Sequence, residues 1–232
     1  IGLDSVSVLG SQFAAAVVDH ATAEAIASVV QETGLILTVH YCLPPSHDFQ
    51  AVTDFEKGIL SIAEWQKHYR LISVLSFDVP QPIRAGKGIS SYLDFTIETV
   101  PDCKVAVEDF GLNAAERGQI SHLKRNPRFG YLVDIGHLFF RLRGENTSGY
   151  TLFTHAPDEH SISLSPGADD FKAVLEGKDF PIYEIHLHNN DGVEDVHWFL
   201  EEGALDVPAV ALALKEVGYV GVLTVESAPG FR

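Results

Sequence analysis

Short apolar runs of this chain end, again and again, in a histidine or an acid. Leu35-Ile-Leu-Thr-Val-His40 is one, and Lys104-Val-Ala-Val-Glu108-Asp109 another. Gly130-Tyr-Leu-Val-Asp134-Ile-Gly-His137 and Val222-Leu-Thr-Val-Glu226 follow the same rule. The densest case is Ile185-His186-Leu187-His188-Asn189-Asn190-Asp191-Gly192, with Asp195-Val196-His197 close behind. Apolar strands do not ordinarily finish this way. Gathering titratable groups where strands end is costly unless they pair or hold a metal.

Between these runs the periodicity changes to that of amphipathic helices. Strands are predicted at Ile1–Val8, Leu35–Tyr41, Leu71–Phe77, Lys104–Asp109, Phe129–Asp134, Ile182–Leu187 and Val220–Glu226. Helices are predicted at Ala21–Glu32, with His20 or Thr22 near its cap, then at Phe49–His68, Gly88–Val100 and Ala114–Lys124. Gly136–Arg143, Ser165–Glu176 and Asp206–Val217 complete the helices. Asn113 is a natural N-cap, and Pro208 suits a first helical turn. Repeated βα units argue for a parallel sheet with helices outside it. The first turn, Val8-Leu9-Gly10-Ser11, has no glycine-rich nucleotide fingerprint. A closed (β/α)8 TIM barrel, one domain over residues 1–232, therefore fits better than a doubly wound sheet, with an eighth strand expected ahead of Ile1. Gly144–Ser165, carrying His155 and His160, reads as a surface excursion.

Composition narrows the partners. The net charge of −16, from 32 acids against 16 Lys and Arg, repels phosphate backbones and argues against nucleic acid. The basic clusters Lys124–Arg128 and Arg141–Arg143 read as solvated helix ends. Two cysteines without a CxxC fit a reduced, cytoplasmic setting, in which the sequon Asn146-Thr147-Ser148 carries no meaning. No apolar run reaches the roughly 18 residues of a membrane helix. Barrels of this kind pair through their outer helices, so a homo-oligomer is compatible with the sequence.

Each polar strand end alone has an ordinary explanation; together they suggest a metal site. Asp134 and His137 are spaced so that a strand-end acid and a first-turn imidazole face one ion. His186 needs a partner or a metal. His188 alternates with it along the strand, so that either both ligate or His188 stands behind the ligands and orients substrate, the role favoured here, with Asn190 beside it. Cys42, two residues past His40, is read either as lining the site or as a small buried apolar residue. Mixed His, Asp and Glu donors without thiolate suit Zn²⁺, Mn²⁺, Fe²⁺ or Co²⁺, zinc and manganese first.

These same stretches resemble the xylose-isomerase-like barrel superfamily, which holds sugar-phosphate isomerases and epimerases together with endonuclease IV. Val107-Glu108, Asp134-Ile-Gly-His137, the string His186 to His197, Glu202-Gly203-Ala204-Leu205-Asp206 and Gly218 to Glu226 carry the resemblance. In the keto-sugar epimerase branch, positions matching Glu108, Asp134, His186 and Glu226 hold one metal, and the two glutamates double as acid/base groups. In the endonuclease IV branch three zinc ions take nine ligands. His40, Glu108, Asp134, His137, His186, Asp195, His197 and Glu226 match eight, and Ser76 or Phe77 stands where the ninth, a histidine, belongs. The resemblance thus implies one to three divalent ions. It implies a sugar or sugar-phosphate isomerase or epimerase working through an enediolate, with Glu108 and Glu226 catalytic. The alternatives are a di- or trinuclear zinc phosphoesterase and a non-catalytic barrel that binds sugar or metal.

Overall fold

A computed structural model of the chain describes residues 5–44, 48–79, 88–110, 112–143, 166–192 and 196–226. Asp195, His155, His160, the Asn146 sequon and the loop after Glu226 lie outside the described residues. The chain divides into two compact units, Ile1–Leu132 and Val133–Arg232.

Unit 1 alternates strand and helix: β1 Ser5–Leu9, α1 Gly10–Ala16, α2 His20–Thr33, β2 Ile36–Cys42, α3 Phe49–Tyr69, β3 Ile72–Asp78, α4 Ile89–Thr99, β4 Lys104–Glu108 and α5 Ala114–Ile120. A 3₁₀ turn, Ser121–Arg125, then leads into β5, Phe129–Asp134, which crosses the unit boundary. Strands β1 to β5 pair in parallel in chain order. Their registers set Leu9 opposite His40 and His40 opposite Ser76. Farther along, Ser76 stands opposite Ala106, and Glu108 opposite Leu132.

Local chemistry sets the helix ends. Asp19 caps α2 by accepting the Thr22 N–H at 2.9 Å, and Gly34 ends that helix at φ 68°. The cap is thus Asp19, rather than His20 or Thr22. Asp48 caps α3 through the Ala51 N–H. Asn113 and Glu116 form a reciprocal capping box on α5. Phe55 packs edge-on to Tyr41, Phe77 and Tyr92, and Ile59, Ile62, Leu75, Leu93, Val105 and Val107 close the core of this unit. The buried Gln66 amide clamps the start of β3, donating to the Ile72 carbonyl at 3.1 Å and accepting its N–H at 2.9 Å.

Three local expectations change. Helix α1, Gly10–Ala16, begins inside the turn predicted at Val8–Ser11. The single helix Ala114–Lys124 splits into α5 and a 3₁₀ turn. Arg128 is no solvated helix end: its guanidinium donates to the carbonyls of Ile97, Val100 and Cys103.

Unit 2 contains α6 Ile135–Arg143, α7 Ala168–Glu176, β6 Ile182–Leu187, α8 Val207–Glu216 and β7 Val222–Val225. Strands β6 and β7 pair in parallel, His186 opposite Thr224. Asp206 caps α8 through the Ala209 N–H, with Pro208 in the first turn. Among the described residues no single helix is long and apolar enough to cross a membrane.

Candidate metal centre

The polar strand ends of unit 2 meet around Asp134. Its Oδ1 accepts the His137 N–H at 2.8 Å, so the last residue of β5 also caps α6. Its Oδ2 lies 3.6 Å from His137 Nδ1. The Asp134 Oδ1 also lies 3.2 Å from His188 Nε2. Burial pushes the Asp134 carboxyl up, but the charges of His137, His188 and His186 outweigh it and hold the carboxyl well below the usual range.

His188 lies one residue beyond β6 and is fully buried. Its Nδ1 has no hydrogen-bond partner among the described residues. Its ring stacks on His197, centroids 3.8 Å apart and planes within 7°, and meets His137 edge-on at 5.5 Å. His197 Nδ1 sits 3.0 Å from the Glu226 backbone carbonyl and 3.7 Å from that residue's Oε2. One ring nitrogen from each of His137, His188 and His197 lies within 4.8 Å of the other two.

His186 is placed differently. Its Nδ1 is 3.0 Å from Glu226 Oε1 and its Nε2 is 3.5 Å from Glu184 Oε1. Burial alone would lower its pKa, but the two carboxylates overcome this and raise it well above the usual histidine range. Glu184, fully buried within β6, also accepts from Thr224 Oγ1 at 2.9 Å. Sequence reasoning passed over this acid, although its two-residue spacing from His186 was a signal.

Asparagines fix the loop that carries His197. Asn189 donates to the carbonyls of Leu200 and Leu205 and accepts from the N–H groups of Asn190 and Leu205. Gly203, at φ 93°, passes so close that a Cβ there would lie 2.5 Å from Asn189 Oδ1. Asn190, expected to meet substrate, is fully buried, with its amide engaged by the Gly136 carbonyl and the Gly192 N–H.

The remaining candidates belong to unit 1. His40 Nδ1 is 3.0 Å from Ser76 Oγ, its register partner, and its Nε2 is 2.9 Å from Asp78 Oδ1. Glu108 ends β4 with 7% exposure. Cys42 is exposed at the end of β2 and not the small buried residue also expected; partial desolvation of its thiol, with the Asp78 and Glu108 charges, pushes it up to about 11, which keeps it protonated near neutrality.

Unit 2 thus brings together Asp134, His137, His186, His188, His197 and Glu226. This donor set fits a divalent ion. A buried imidazole nitrogen without a partner carries a desolvation cost that a cation would relieve.

No family model matches the chain. An uncharacterised protein of Methanocaldococcus jannaschii is 34% identical over 140 residues, which are 60% of this chain and 45% of that protein. The chain therefore spans less than half the length of that relative. Among solved structures, a D-tagatose 3-epimerase-like protein aligns with a TM-score of 0.60 at 16% identity, over 98% of this chain and 83% of the other. The chain shares the TIM-barrel fold of that protein. The solved structure of AsfvAP:AG shares it at a TM-score of 0.53 and 14% identity, over 89% of this chain and 72% of that one. Barrels of this class carry their chemistry where strands end at their C-termini. Asp134 ends β5, His188 follows β6 by one residue, and Glu226 follows β7 directly.

Proposed function

We propose that this chain is a divalent-metal-dependent enzyme that isomerises or epimerises a small polyhydroxylated substrate, a sugar or sugar phosphate. The observation that carries the reading is the Glu226 carboxylate, held 3.0 Å from the His186 ring in the same unit as Asp134 and three further histidines. Likeness in fold to a D-tagatose 3-epimerase-like protein supports the substrate class. A divalent ion bound by this unit would polarise a carbonyl and its neighbouring hydroxyl. Glu226 would move the proton at the adjacent carbon. His186, between Glu184 and Glu226, orients the carboxylate. Glu108 is assigned as the second proton-moving group on the resemblance alone.

The test is a screen of ketoses and aldoses with metal-loaded protein in deuterated water, reading deuterium incorporation next to the carbonyl. Glu226→Gln should cost about 10²- to 10⁴-fold in turnover. Unchanged turnover would remove the acid/base assignment. Chelator-sensitive cleavage of a phosphodiester, with no sugar turned over, would favour a hydrolase instead.

A further inference from the structure

We infer that Glu184 is a positioning residue of the metal centre: its carboxylate keeps the proton of His186 on Nε2, so that Nδ1, beside Glu226, is the nitrogen offered to the ion. The inference rests on the metal dependence proposed above and not on the sugar substrate.

Glu184 stands where the other strands carry no charge. The residues two before the strand-end donors His40, Glu108, Asp134 and Glu226 are Thr38, Ala106, Leu132 and Thr224. Two before His186 the residue is an acid, and it is fully buried. A carboxylate in such a place is costly unless it is paired. The two-residue period of a strand sets Glu184 and His186 on one face of β6. The parallel register sets Thr224 of β7 opposite His186. Thr224 Oγ1 donates to Glu184 Oε1 at 2.9 Å, and the same oxygen lies 3.5 Å from His186 Nε2. A small tilt of the ring closes this second contact to hydrogen-bond length.

A histidine that binds a metal commonly turns its second ring nitrogen to a carboxylate, which fixes the tautomer and raises the basicity of the ligating nitrogen. The two sides of the His186 ring differ in this respect. Nε2 faces an acid that is closed off within β6 and anchored by Thr224. Nδ1 faces Glu226, whose side chain is 27% exposed, at 3.0 Å from Oε1. Two donors each about 2.1 Å from one ion, at right angles, stand about 3 Å apart. Nδ1 and Glu226 are therefore spaced to share an ion, while Glu184 holds the other end of the ring.

The experiment is nitrogen NMR of the zinc-loaded full chain carrying isotope-labelled histidine, read beside zinc affinity from competition with a chromogenic chelator. In wild type the His186 proton should reside on Nε2 and zinc on Nδ1. Glu184→Leu should weaken zinc binding by about 10- to 100-fold. Glu184→Gln, which keeps an acceptor for the Nε2 proton, should recover most of that loss. Thr224→Val removes the bond between the strands but keeps the carboxylate, so it should cost less than Glu184→Leu. Equal losses for these two variants would show that Glu184 only ties β6 to β7, and would overturn the inference. Zinc found on Nε2 of His186 overturns it as well and leaves metal dependence intact. The wild-type spectrum decides the matter if Glu184→Leu does not fold. A wild-type chain that takes up no zinc overturns both the inference and the metal dependence. Zinc on Nδ1 with the expected order of affinities, and no sugar turned over, supports the positioning role and removes only the isomerase reading.

Discussion

Gly136 stands so close to His188 that one added carbon on its Cα would lie 2.2 Å from the imidazole. The first turn of α6 thus serves as one wall of the histidine cluster. Gly136→Ala should destabilise the fold by about 1–3 kcal/mol through overpacking. It should also weaken metal uptake, because the ring that has to move is His188. Urea unfolding and cobalt titration of the same preparation test both effects. Unaltered values in both would show that the backbone gives way before the ring does.

Asp134 has two tasks, and two substitutions separate them. Asparagine retains an acceptor for the His137 N–H; alanine does not. Asp134→Ala should therefore cost about 1 kcal/mol more stability than Asp134→Asn, the usual worth of an N-cap. Both lose the carboxylate facing His137 and His188, so both should weaken metal binding by about 10- to 100-fold. Equal stability of the two variants would mean that the cap contributes nothing.

The His186 pair sets a direction for pH dependence. In the metal-free chain its folded-state pKa stands above the ordinary value near 6.5. The stability it contributes is complete below about pH 6.5 and is lost as pH rises through the folded-state value. The melting-temperature advantage of wild type over His186→Gln should therefore be greatest near pH 6 and shrink as the pH rises through the folded-state value. A difference independent of pH would refute the protonated pairing.

Much of this could be read in the sequence, for identifiable reasons. β5 and β6 appear with the predicted boundaries because each is a short, mostly apolar run with turn chemistry on both sides. Asp134, His137, His186 and Glu226 were conspicuous because polar groups break the apolar pattern where those runs finish. Helix α1 was not legible. It begins directly at Gly10 after β1, and Leu9 at its cap makes no side-chain bond, so the usual start signal is missing. β7 covers only Val222–Val225, shorter than its apolar pattern suggests. Glu184 lies within β6 and not at its end, so the strand-end pattern does not single it out. The placement of His188 depends on tertiary geometry, since nothing local to Leu187-His188-Asn189 sets its ring against His197.

Asn189 offers a test of the loop. Its side chain satisfies backbone groups of Asn190, Leu200 and Leu205 at once. Asn189→Ala would strand several of them in a buried setting and should cost on the order of 3 kcal/mol. Chemical denaturation measures this directly. A loss below about 1 kcal/mol would show that water replaces the amide at these groups.

The same asparagine bears on kinetics. Trp198, immediately after His197, exchanges backbone hydrogen bonds with Asn189 at 2.9 and 3.3 Å. The ordering entropy of this part of the loop is therefore met when the chain folds and not when an ion arrives. Ion capture should then be governed by how readily the metal sheds its water shell. Capture rates across a series of divalent ions would follow their water-exchange rates and not a protein step common to all of them.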